Sequence, residues 1–274
     1  MASPVNPTDG IVWITGASSG IGREIALLLA RLGWRVAATA RRADELEALS
    51  GKIQSDRGEI RPYPADISDA AKVAEVAHAI ETEFGPIACL IANAGIYLPV
   101  DARAFDLSSF AKTIDVNIKG TANCLAPVIA AMTARKRGQI VIVASVTGYG
   151  GLPTSGAYGA SKAALINLAE TLRIELDALN ILVQVVNPGF VDTPATANNP
   201  FPMPALMSVA NAARTVVRGL STQAFEITFP RRFTYVLKGL GLIPVRWRLA
   251  LVRRFTGWDD PAKRPPIPGD QNSG

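Results

Sequence analysis

Three side chains in the second half of the sequence could together move a proton at an oxygen atom. Tyr158 and Lys162 stand four residues apart in a helical pattern, so both project from one helix face. A phenol titrates near ~10, and a neighbouring ammonium favours its ionised form. Ser145 ends an apolar strand pattern, where its hydroxyl can donate to a developing negative charge. This set suits acid and base catalysis at a carbonyl or alcohol oxygen, although Tyr-x-x-x-Lys alone would also fit an ordinary surface helix.

A glycine-rich turn near the N-terminus could hold a phosphate group. Residues 15–22 read TGASSGIG and lie between an apolar strand pattern and a helical pattern. Glycines permit a tight turn and a close backbone approach, and the start of a helix offers N–H groups and a positive dipole end to a pyrophosphate. Such a turn could also be a plain connection, but its flanking elements favour a dinucleotide site. The residues assigned to that site are Gly16, Ser18, Ser19, Gly20, Ile21 and Gly22.

The pattern of the whole chain predicts the frame that would bring these residues together. Short β-branched runs alternate with longer helical patterns, and several strands are apolar throughout, as in sheets covered on both faces. We predict strands near 11–15, 35–40, 60–64, 88–92, 139–144, 181–186 and 225–229, and helices near 21–32, 43–56, 69–84, 107–133, 157–179 and 208–220. The expected fold class is α/β: a three-layer, doubly wound parallel sheet of about seven strands in a single domain, the Rossmann fold. Such sheets bind ligands beyond the carboxyl ends of their strands.

The glycine spacing T-G-x-x-x-G-x-G, taken with Ser145, Tyr158 and Lys162, resembles that of the short-chain dehydrogenase/reductase family. The resemblance implies reversible hydride transfer between NAD(P) and a carbonyl or alcohol carbon. Tyr158 would be the acid and base, Lys162 would tune it and hold the ribose, and Ser145 would orient the carbonyl. Asn117, in the stretch DVN, would hold a water that links the lysine to solvent; otherwise an Asn within a helix serves packing or a kink.

The end of the second strand predicts which cofactor is preferred. An NAD-selective fold usually has an acid at this place, but the chain has Arg41 and Arg42. A guanidinium can pair with the additional 2′-phosphate of NADP, so we expect NADP(H) to be preferred, with NAD(H) possible. Alternatively, both arginines are solvated residues at the start of the next helix. The glycine loop itself carries Ser18 and Ser19, where many NADP-preferring members of the family have a basic residue.

Other strand ends resemble the family's remaining cofactor contacts. In the stretch ADISD, Asp66 would accept from the adenine amino group beside Ile67, while Ser68 or Asp69 would cap the next helix. The stretch ANAG resembles the family's NNAG with its first Asn replaced by Ala; its cofactor residues are Asn93, Ala94 and Gly95. The residues implied near the nicotinamide and its carboxamide are Pro188, Gly189, Val191 and Thr193.

The proline-rich stretch 194–207 is expected to cover the substrate. Its apolar candidates are Met203, Leu206 and Met207, and the residues expected opposite them are Tyr149, Gly151 and Leu152. This composition predicts an apolar pocket and a small lipophilic ketone, aldehyde or alcohol as substrate.

The charge of the chain is concentrated at its C-terminal end. Residues 231–274 hold nine Lys and Arg against three acidic residues, whereas residues 1–230 hold 19 against 20. A main domain without a basic stripe does not favour nucleic-acid binding. Cys89 and Cys124 lie in apolar segments without ligand-like spacing, so neither a metal site nor a disulfide framework is expected. No signal peptide or spanning segment is evident, which makes the cytoplasm the expected location.

The sequence divides into a Rossmann-type domain over 1–230, a basic extension over 231–258 and a tail over 259–274 that is expected to be disordered. Residues 244–258 form a basic amphipathic pattern with Arg246, Arg253 and Arg254 on one side. Such a helix can lie on the inner face of a membrane, or it can dock on its own domain or across a dimer. By family resemblance we expect a homodimer or homotetramer.

Two other functions fit parts of the sequence. A redox-sensing protein could use the same fold without chemistry, but it would not need Ser145, Tyr158 and Lys162. An NAD-dependent epimerase or dehydratase shares Tyr-x-x-x-Lys, although its glycine spacing usually differs.

Overall fold

A sheet of seven parallel strands forms the middle layer of the fold. The computed structural model describes residues 2–53, 58–194, 196 and 203–264. The strands are β1 (Ile11–Thr15), β2 (Arg35–Thr39), β3 (Glu59–Pro62), β4 (Ile87–Ala92), β5 (Gly138–Val143), β6 (Ile181–Pro188) and, after a short pair of two-residue strands, β9 (Glu226–Phe229). Their order is β3-β2-β1-β4-β5-β6-β9, so the direction of winding reverses between β1 and β4. The cleft at that reversal is where such sheets bind their ligands.

Helices cover both faces of the sheet and create two hydrophobic cores. They are α1 (Gly20–Arg31), α2 (Ala43–Ser50), α3 (Ala70–Ala79), α4 (Leu107–Ile114), α5 (Gly120–Arg135), α6 (Gly156–Leu176) and α7 (Val209–Leu220). Side chains of α1, α2 and α7 share one core with Val12 and Ile14, and side chains of α3, α5 and α6 share the other with Ile11 and Trp13. The alternation along β1 therefore feeds both cores, which confirms the predicted three-layer α/β fold.

The helices differ in detail from the predicted ones. The single helix expected over 107–133 is divided into α4, a π-helical turn over Asp115–Lys119 and α5. The helix expected over 69–84 also ends in a π-helical turn, over Ile80–Phe84. Helix α2 ends at Ser50 rather than near 56, because Gly51 follows it and the Ser50 hydroxyl donates to the carbonyl of Ile60. Residues 54–57 of that predicted helix lie outside the described ranges.

A small parallel ladder that the sequence did not predict closes the region after β6. Its strands are β7 (Val191–Asp192) and β8 (Met207–Ser208), and Met207 also donates to the carbonyl of Phe190. The ladder fixes both ends of the stretch that was expected to cover the substrate.

Two further helices form the C-terminal extension. Helix α8 (Arg231–Leu240) packs on β9, with Thr234 buried, and α9 (Val245–Phe255) follows it without a buried residue. The sequence predicted α9 but not α8. A 3-10 turn over Pro261–Lys263 occupies part of the tail that was expected to be disordered, and residues 265–274 of that tail lie outside the described ranges. Among the described helices, none has the length and apolar content needed to cross a bilayer.

Candidate active site

The three candidate catalytic side chains meet at the carboxyl end of β5. Ser145 follows that strand, and Tyr158 and Lys162 project from the first turns of α6. The Nζ of Lys162 is 2.8 Å from the carbonyl oxygen of Val143 and 5.5 Å from the centre of the Tyr158 ring. The Oγ of Ser145 accepts from the backbone N–H of Thr147 at 3.2 Å, so its own proton is free to be donated. Ser145 and Tyr158 thus bring two hydroxyl groups within hydrogen-bond reach of each other.

The titration behaviour of these groups follows from burial. Burial raises the pKa of Tyr158 above its usual range, while a hydrogen bond with Ser145 opposes that rise. Burial also lowers the pKa of Lys162 to about 8. The sequence-based expectation was that Lys162 lowers the pKa of Tyr158; in this structure the lowering contribution comes from Ser145. The Nζ atom donates to Val143 instead of the phenolic oxygen, so the tuning role of Lys162 remains a prediction.

Asn117 lies in the π-helical turn between α4 and α5 and is fully buried. Its Oδ1 accepts from the N–H of Ile96 at 2.8 Å, and its Nδ2 donates to the carbonyl of Ile96 and to Ser161 Oγ, both at 3.0 Å. A Cβ added at Gly95 would lie 3.2 Å from Asn117 Oδ1 and 3.4 Å from Lys162 Nζ. Asn117 therefore joins the loop after β4 to α6 beside Lys162. The expected water-holding role remains a prediction.

Tyr97 is an active-site neighbour that the sequence reasoning missed. Its ring meets that of Tyr158 edge-on, with centroids 5.2 Å apart, and its hydroxyl lies 3.4 Å from that of Thr154. Tyr97 is also one of the residues that line the active-site cleft. Its place two residues after Gly95 in the stretch ANAGIY was the one available signal.

One cleft of about 510 Å³ joins the catalytic side chains to the glycine loop. Nearly all the residues predicted for the site line this cleft; Gly22 and Asn117 lie behind its wall. The predicted residues that line it are Gly16, Ser18, Ser19, Gly20, Ile21, Arg41, Arg42, Asp66, Ile67, Asn93, Ala94, Gly95, Ser145, Tyr158, Lys162, Pro188, Gly189, Val191 and Thr193.

Two glycines of the loop are packed so tightly that a side chain would not fit. Gly16 has φ = 68°, and a Cβ there would come within 2.8 Å of the Cα of Ala94. A Cβ on Gly22 would lie 2.5 Å from the carbonyl oxygen of Gly16. The amide of Asn93 donates to the carbonyls of Thr15 and Gly16, so this side chain holds the loop from behind.

The first turn of α1 is directed at the cleft without a side-chain cap. Ser19 occupies the N-cap position but makes no capping hydrogen bond, and Gly20 and Ile21 at the start of α1 line the cleft. Backbone N–H groups and a positive dipole end at this place fit the pyrophosphate of a dinucleotide.

Arg42 reaches from the end of β2 to the glycine loop. Its Nη2 donates to Ser18 Oγ at 3.0 Å, and Ser18 is itself buried. Arg42 also stands at the N-cap of α2, where its side chain is 55% exposed and its Nη1 lies 3.9 Å from Glu45 of that helix, so its guanidinium is shared between the glycine loop and the start of α2. Arg41 is more exposed and lies 4.0 Å from Asp66. The two guanidinium groups place positive charge at one end of the cleft.

The acidic turn after β3 has two roles carried by different residues. Asp66 accepts from both the N–H and the hydroxyl of Ser68, at 2.9 and 2.7 Å. Burial alone would raise the pKa of Asp66, but the hydrogen bonds from Ser68 and the charge of Arg41 lower it. Asp69 caps α3 by accepting from the N–H of Lys72 at 3.0 Å. Asp66 thus remains an ionised acceptor in the cleft wall.

The chain after β6 closes the other side of the cleft. Pro188 ends the strand, and Gly189 donates to the carbonyl of Phe229 at 2.7 Å. The hydroxyl of Thr196 donates to the carbonyl of Val191 at 2.6 Å and accepts from the N–H of Thr193. A Cβ on Gly20 would meet the Thr193 methyl group at 3.4 Å, so this segment borders the glycine loop.

The residues expected to form the substrate pocket are only partly together. Tyr149, Gly151 and Leu152 do not belong to the described lining of the cleft. Instead, the Tyr149 hydroxyl donates to Glu226. Ile96, Tyr97 and Val116 supply apolar surface to the cleft, and the Tyr97 ring contacts that of Tyr158. Residues 195 and 197–202 of the expected cover lie outside the described ranges. Of its described residues, Leu206 is 47% exposed and Met207 packs against the core.

Comparison with known proteins supports the same assignment. The family model for short chain dehydrogenases matches residues 10–201. An uncharacterized oxidoreductase of Myxococcus xanthus is 38% identical over 217 residues, which are 79% of this chain and 86% of the relative. The 3-oxoacyl-acyl-carrier-protein reductase FabG of Thermotoga maritima is 35% identical over 187 residues, which are 68% of this chain and 76% of that enzyme.

A solved structure agrees in fold over most of the chain. A short-chain dehydrogenase from Sphingobium yanoikuyae in complex with NADPH superposes with a TM-score of 0.74 at 26% identity, covering 92% of this chain and 96% of that one. The cleft, its paired hydroxyls and its glycine loop thus belong to an oxidoreductase that acts on CH–OH or C=O groups with NAD(P). The chain is a member of the short-chain dehydrogenase/reductase family.

Proposed function

We propose that this protein reduces the carbonyl group of a small apolar substrate with NADPH, in a reversible reaction. The observation that carries the proposal is a single cleft with the Ser145–Tyr158 hydroxyl pair at one end and the Arg42–Ser18 pair at the other. These groups fit the two ends of a nicotinamide dinucleotide phosphate.

Each polar group of the site has a defined task in the proposed reaction. The bound cofactor supplies the hydride to the carbonyl carbon. Tyr158 delivers its proton to the carbonyl oxygen, because the carbon becomes an alcohol only when the developing alkoxide is protonated. Ser145 donates to the same oxygen and stabilises its growing negative charge. Lys162 holds the ribose, and Asn117 keeps the loop at Ile96 in place and takes part in proton supply.

The preference for NADPH over NADH is supported by the charge at the adenosine end. Arg42 and Ser18 already share a hydrogen bond, and Arg41 stands on the neighbouring position of the same wall. A 2′-phosphate can accept hydrogen bonds from guanidinium and hydroxyl donors, whereas a 2′-hydroxyl gains much less from two cations. The NADPH complex of the Sphingobium yanoikuyae neighbour is consistent with this preference.

The proposed apolar substrate rests on the side chains beside Tyr158. Ile96, Tyr97 and Val116 line the cleft, the Tyr97 ring meets that of Tyr158, and Phe190 directly follows the lining residue Gly189. Apolar substrate surface removed from water at this place would contribute about 25 cal/mol per Å² to binding. A charged carbonyl compound would lose its hydration there without gaining an ionic partner.

Loss of NADPH fluorescence across a panel of ketones and aldehydes tests the proposal. We expect turnover with lipophilic ketones, slower turnover with small charged carbonyls, and a lower KM for NADPH than for NADH. Preference for charged carbonyls would contradict the apolar pocket. Cofactor binding without turnover of any carbonyl or alcohol would favour a redox sensor, and conversion of a sugar nucleotide without net cofactor oxidation would favour an epimerase.

We also propose that the protein is a cytoplasmic homodimer or homotetramer. Phe105, Leu107 and Ile174 expose 57, 70 and 80% of their surface on or beside α4 and α6, which pack against each other. Exposed apolar side chains on neighbouring helices favour burial against a second copy. Light scattering after gel filtration should give a mass of two or four chains; a monomer would contradict this assignment.

A further inference from the structure

The C-terminal helix pair, α8 and α9 with their flanks over 231–258, carries an unusual share of the exposed apolar surface. Twelve large hydrophobic side chains are exposed in the described part of the chain, and seven of them lie within 235–255. Leu242 is 89% exposed, Phe255 78%, Trp247 57% and Leu249 49%. Clustering of this kind marks an interaction surface, whereas single exposed apolar residues are ordinary.

The same surface is strongly and uniformly basic. Residues 231–258 contain seven Lys and Arg and no Asp or Glu. On α9, the exposed Arg246, Arg253 and Arg254 lie between Leu249 and Trp247 around the helix, and the Arg246 guanidinium is 5.2 Å from the Trp247 ring. The three arginines therefore occupy one sector of the helix, with exposed apolar side chains on both of its borders.

This combination fits an anionic lipid surface better than other partners. Lipid phosphates pair with arginines while Trp, Leu and Phe side chains enter the acyl boundary, so both kinds of group are satisfied together. A second copy of the chain would bring like charges into contact. Nucleic acid would pair with the arginines but leave the apolar side chains in water.

The surface borders the substrate end of the active-site cleft. The Phe233 ring on α8 lies 5.8 Å from that of Phe190, which directly follows the cleft residue Gly189. After α9, the Trp258 ring lies 5.2 Å from the Arg103 guanidinium, on the chain that follows Tyr97. The helix pair and its C-terminal flank thus pack against the two chain segments that follow the cleft residues Gly189 and Tyr97.

We propose that the C-terminal helix pair docks on an anionic bilayer surface and that the active site takes its apolar substrate from that bilayer. The proposal that the helix pair docks on a bilayer depends only on its exposed basic and apolar side chains. The proposal that substrate comes from the bilayer rests on the proposed function. Docking would place the substrate end of the cleft near the membrane, where a lipophilic carbonyl compound is concentrated.

Flotation of the full chain with vesicles tests docking without any activity measurement. We expect the protein to float with vesicles of equal parts phosphatidylglycerol and phosphatidylcholine, but not with phosphatidylcholine alone. Binding should fall when salt reaches about 1 M, where the Debye length is ~3 Å. Replacement of Arg246, Arg253 and Arg254 by Gln should weaken binding on the order of a hundredfold, from the known contribution of each basic residue at such surfaces. The matched control replaces three exposed arginines outside the extension, Arg31, Arg214 and Arg218, and should bind as the wild type does.

The remaining outcomes decide the proposal either way. Equal binding to both vesicle types, or absence of binding to both, overturns it. A dimer that dissociates in the Trp247→Ala variant, with no flotation of the wild type, also overturns it and assigns the surface to a second copy.

A second measurement separates docking from catalysis. The triple Gln variant should reduce a water-soluble ketone at the wild-type rate but should lose most of its rate on a small lipophilic ketone dissolved in anionic vesicles. Equal rates of both proteins on the vesicle-borne ketone would overturn the substrate half. Flotation of a protein without ketone turnover would preserve docking and contradict the proposed function instead.

Discussion

At the scale of single residues, the hydrogen bond between Arg42 and Ser18 shows which of the two predicted arginines contacts the glycine loop. The strand end identified Arg41 and Arg42 together, but the structure directs only Arg42 at the glycine loop, with Nη2 3.0 Å from Ser18 Oγ. We expect Arg42→Ala to raise the Kd for NADPH about ten- to a hundredfold, since a hydrogen bond to a charged group contributes roughly 1.5–3 kcal/mol. Fluorescence titration measures this change.

The specificity of that effect distinguishes phosphate recognition from general damage. The Kd for NADH should change little in the Arg42→Ala variant, because NADH lacks the 2′-phosphate. Arg31→Ala, a substitution of an exposed arginine at the far end of α1, should leave both constants unchanged. Equal weakening of NADH and NADPH by Arg42→Ala would contradict the proposed contact.

Lys162 has a pH signature of its own. Burial lowers its pKa to about 8, whereas the unfolded chain has the ordinary value near 10.5. Between those values the unfolded chain binds more protons, so the contribution of Lys162 to the free energy of unfolding rises as pH increases from 8 to 10.5. The gain is on the order of 3 kcal/mol. We therefore expect the free energy of unfolding, measured with urea, to increase more between pH 8 and pH 10 for the wild type than for Lys162→Met. An equal increase in the two proteins would contradict the lowered pKa of Lys162.

At the scale of elements, the turn from β1 to α1 depends on the absence of side chains at defined places. Gly22→Ala would put a methyl group 2.5 Å from the carbonyl oxygen of Gly16. The loop must move, so we expect a loss of roughly 1–3 kcal/mol in the free energy of unfolding and weaker cofactor binding. The control is Gly156→Ala at the start of α6, where an added Cβ meets no atom within 4 Å. Thermal unfolding measures the effect. An equal decrease in the Tm of both variants would refute the packing argument.

The strands could be predicted because each one is an apolar run bounded by turn residues. The stretches IVIV of β5 and ILVQVV of β6 are buried at every position. Because nearly all their residues are apolar, the sequence alone predicts strands covered on both faces. The division of the predicted helix 107–133 was harder to predict. Its helical pattern continues through Asn117, and only the tertiary contacts of that side chain with Ile96 and Ser161 explain the π-helical turn.

The missed residues share a physical reason. The Tyr97 ring contacts that of Tyr158. The Glu226 carboxylate accepts hydrogen bonds from the side chains of Tyr149, Asn187 and Lys238. These contacts join elements that are distant in the chain, and neither residue lies in a spacing pattern. Sequence motifs identify groups carried by one turn or one helix face, as with Tyr158 and Lys162. Contacts between separate loops require the fold.

At the scale of the whole molecule, a partly buried ion pair attaches helix α8 of the C-terminal helix pair to the domain. Glu226 at the start of β9 pairs with Lys238 of α8 and also accepts from Asn187 at 2.7 Å. Burial alone would raise the pKa of Glu226, but these hydrogen bonds and the charge of Lys238 lower it. The stability that the lowered pKa provides is present above the ordinary pKa of a glutamate and is lost as pH falls.

Lys238→Met should therefore destabilise the protein in a pH-dependent way. Without the ammonium, Glu226 is a half-buried charge, and we expect a loss of about 1–2 kcal/mol at pH 7, or roughly 2–6 °C in Tm. The difference from wild type should shrink as pH falls through the lowered pKa of Glu226, because the carboxyl then becomes protonated in both proteins. Lys72→Met, which removes an exposed pair with Glu75, is the matched control. A difference that is constant with pH would mean that the pair does not carry the attachment.

The sequence predicted where along the chain the positive charge lies, but not where the basic extension packs in the fold. The excess of Lys and Arg over residues 231–274 predicted a distinct basic extension. That α8 packs on β9 and that its Phe233 meets Phe190 beside the cleft depends on the path of the chain after the last strand. The extension is therefore a structural neighbour of the active site.

The central claim is that Tyr158 supplies the proton that completes carbonyl reduction. The most direct test compares Tyr158→Phe with the wild type for single-turnover oxidation of NADPH by a lipophilic ketone, with cofactor binding measured separately. Removal of the hydroxyl should lower the rate at least about 10²-fold, the usual contribution of a general acid, while the Kd for NADPH stays near its wild-type value. A Tyr158→Phe variant that binds NADPH normally and reduces the ketone at the wild-type rate would contradict the account.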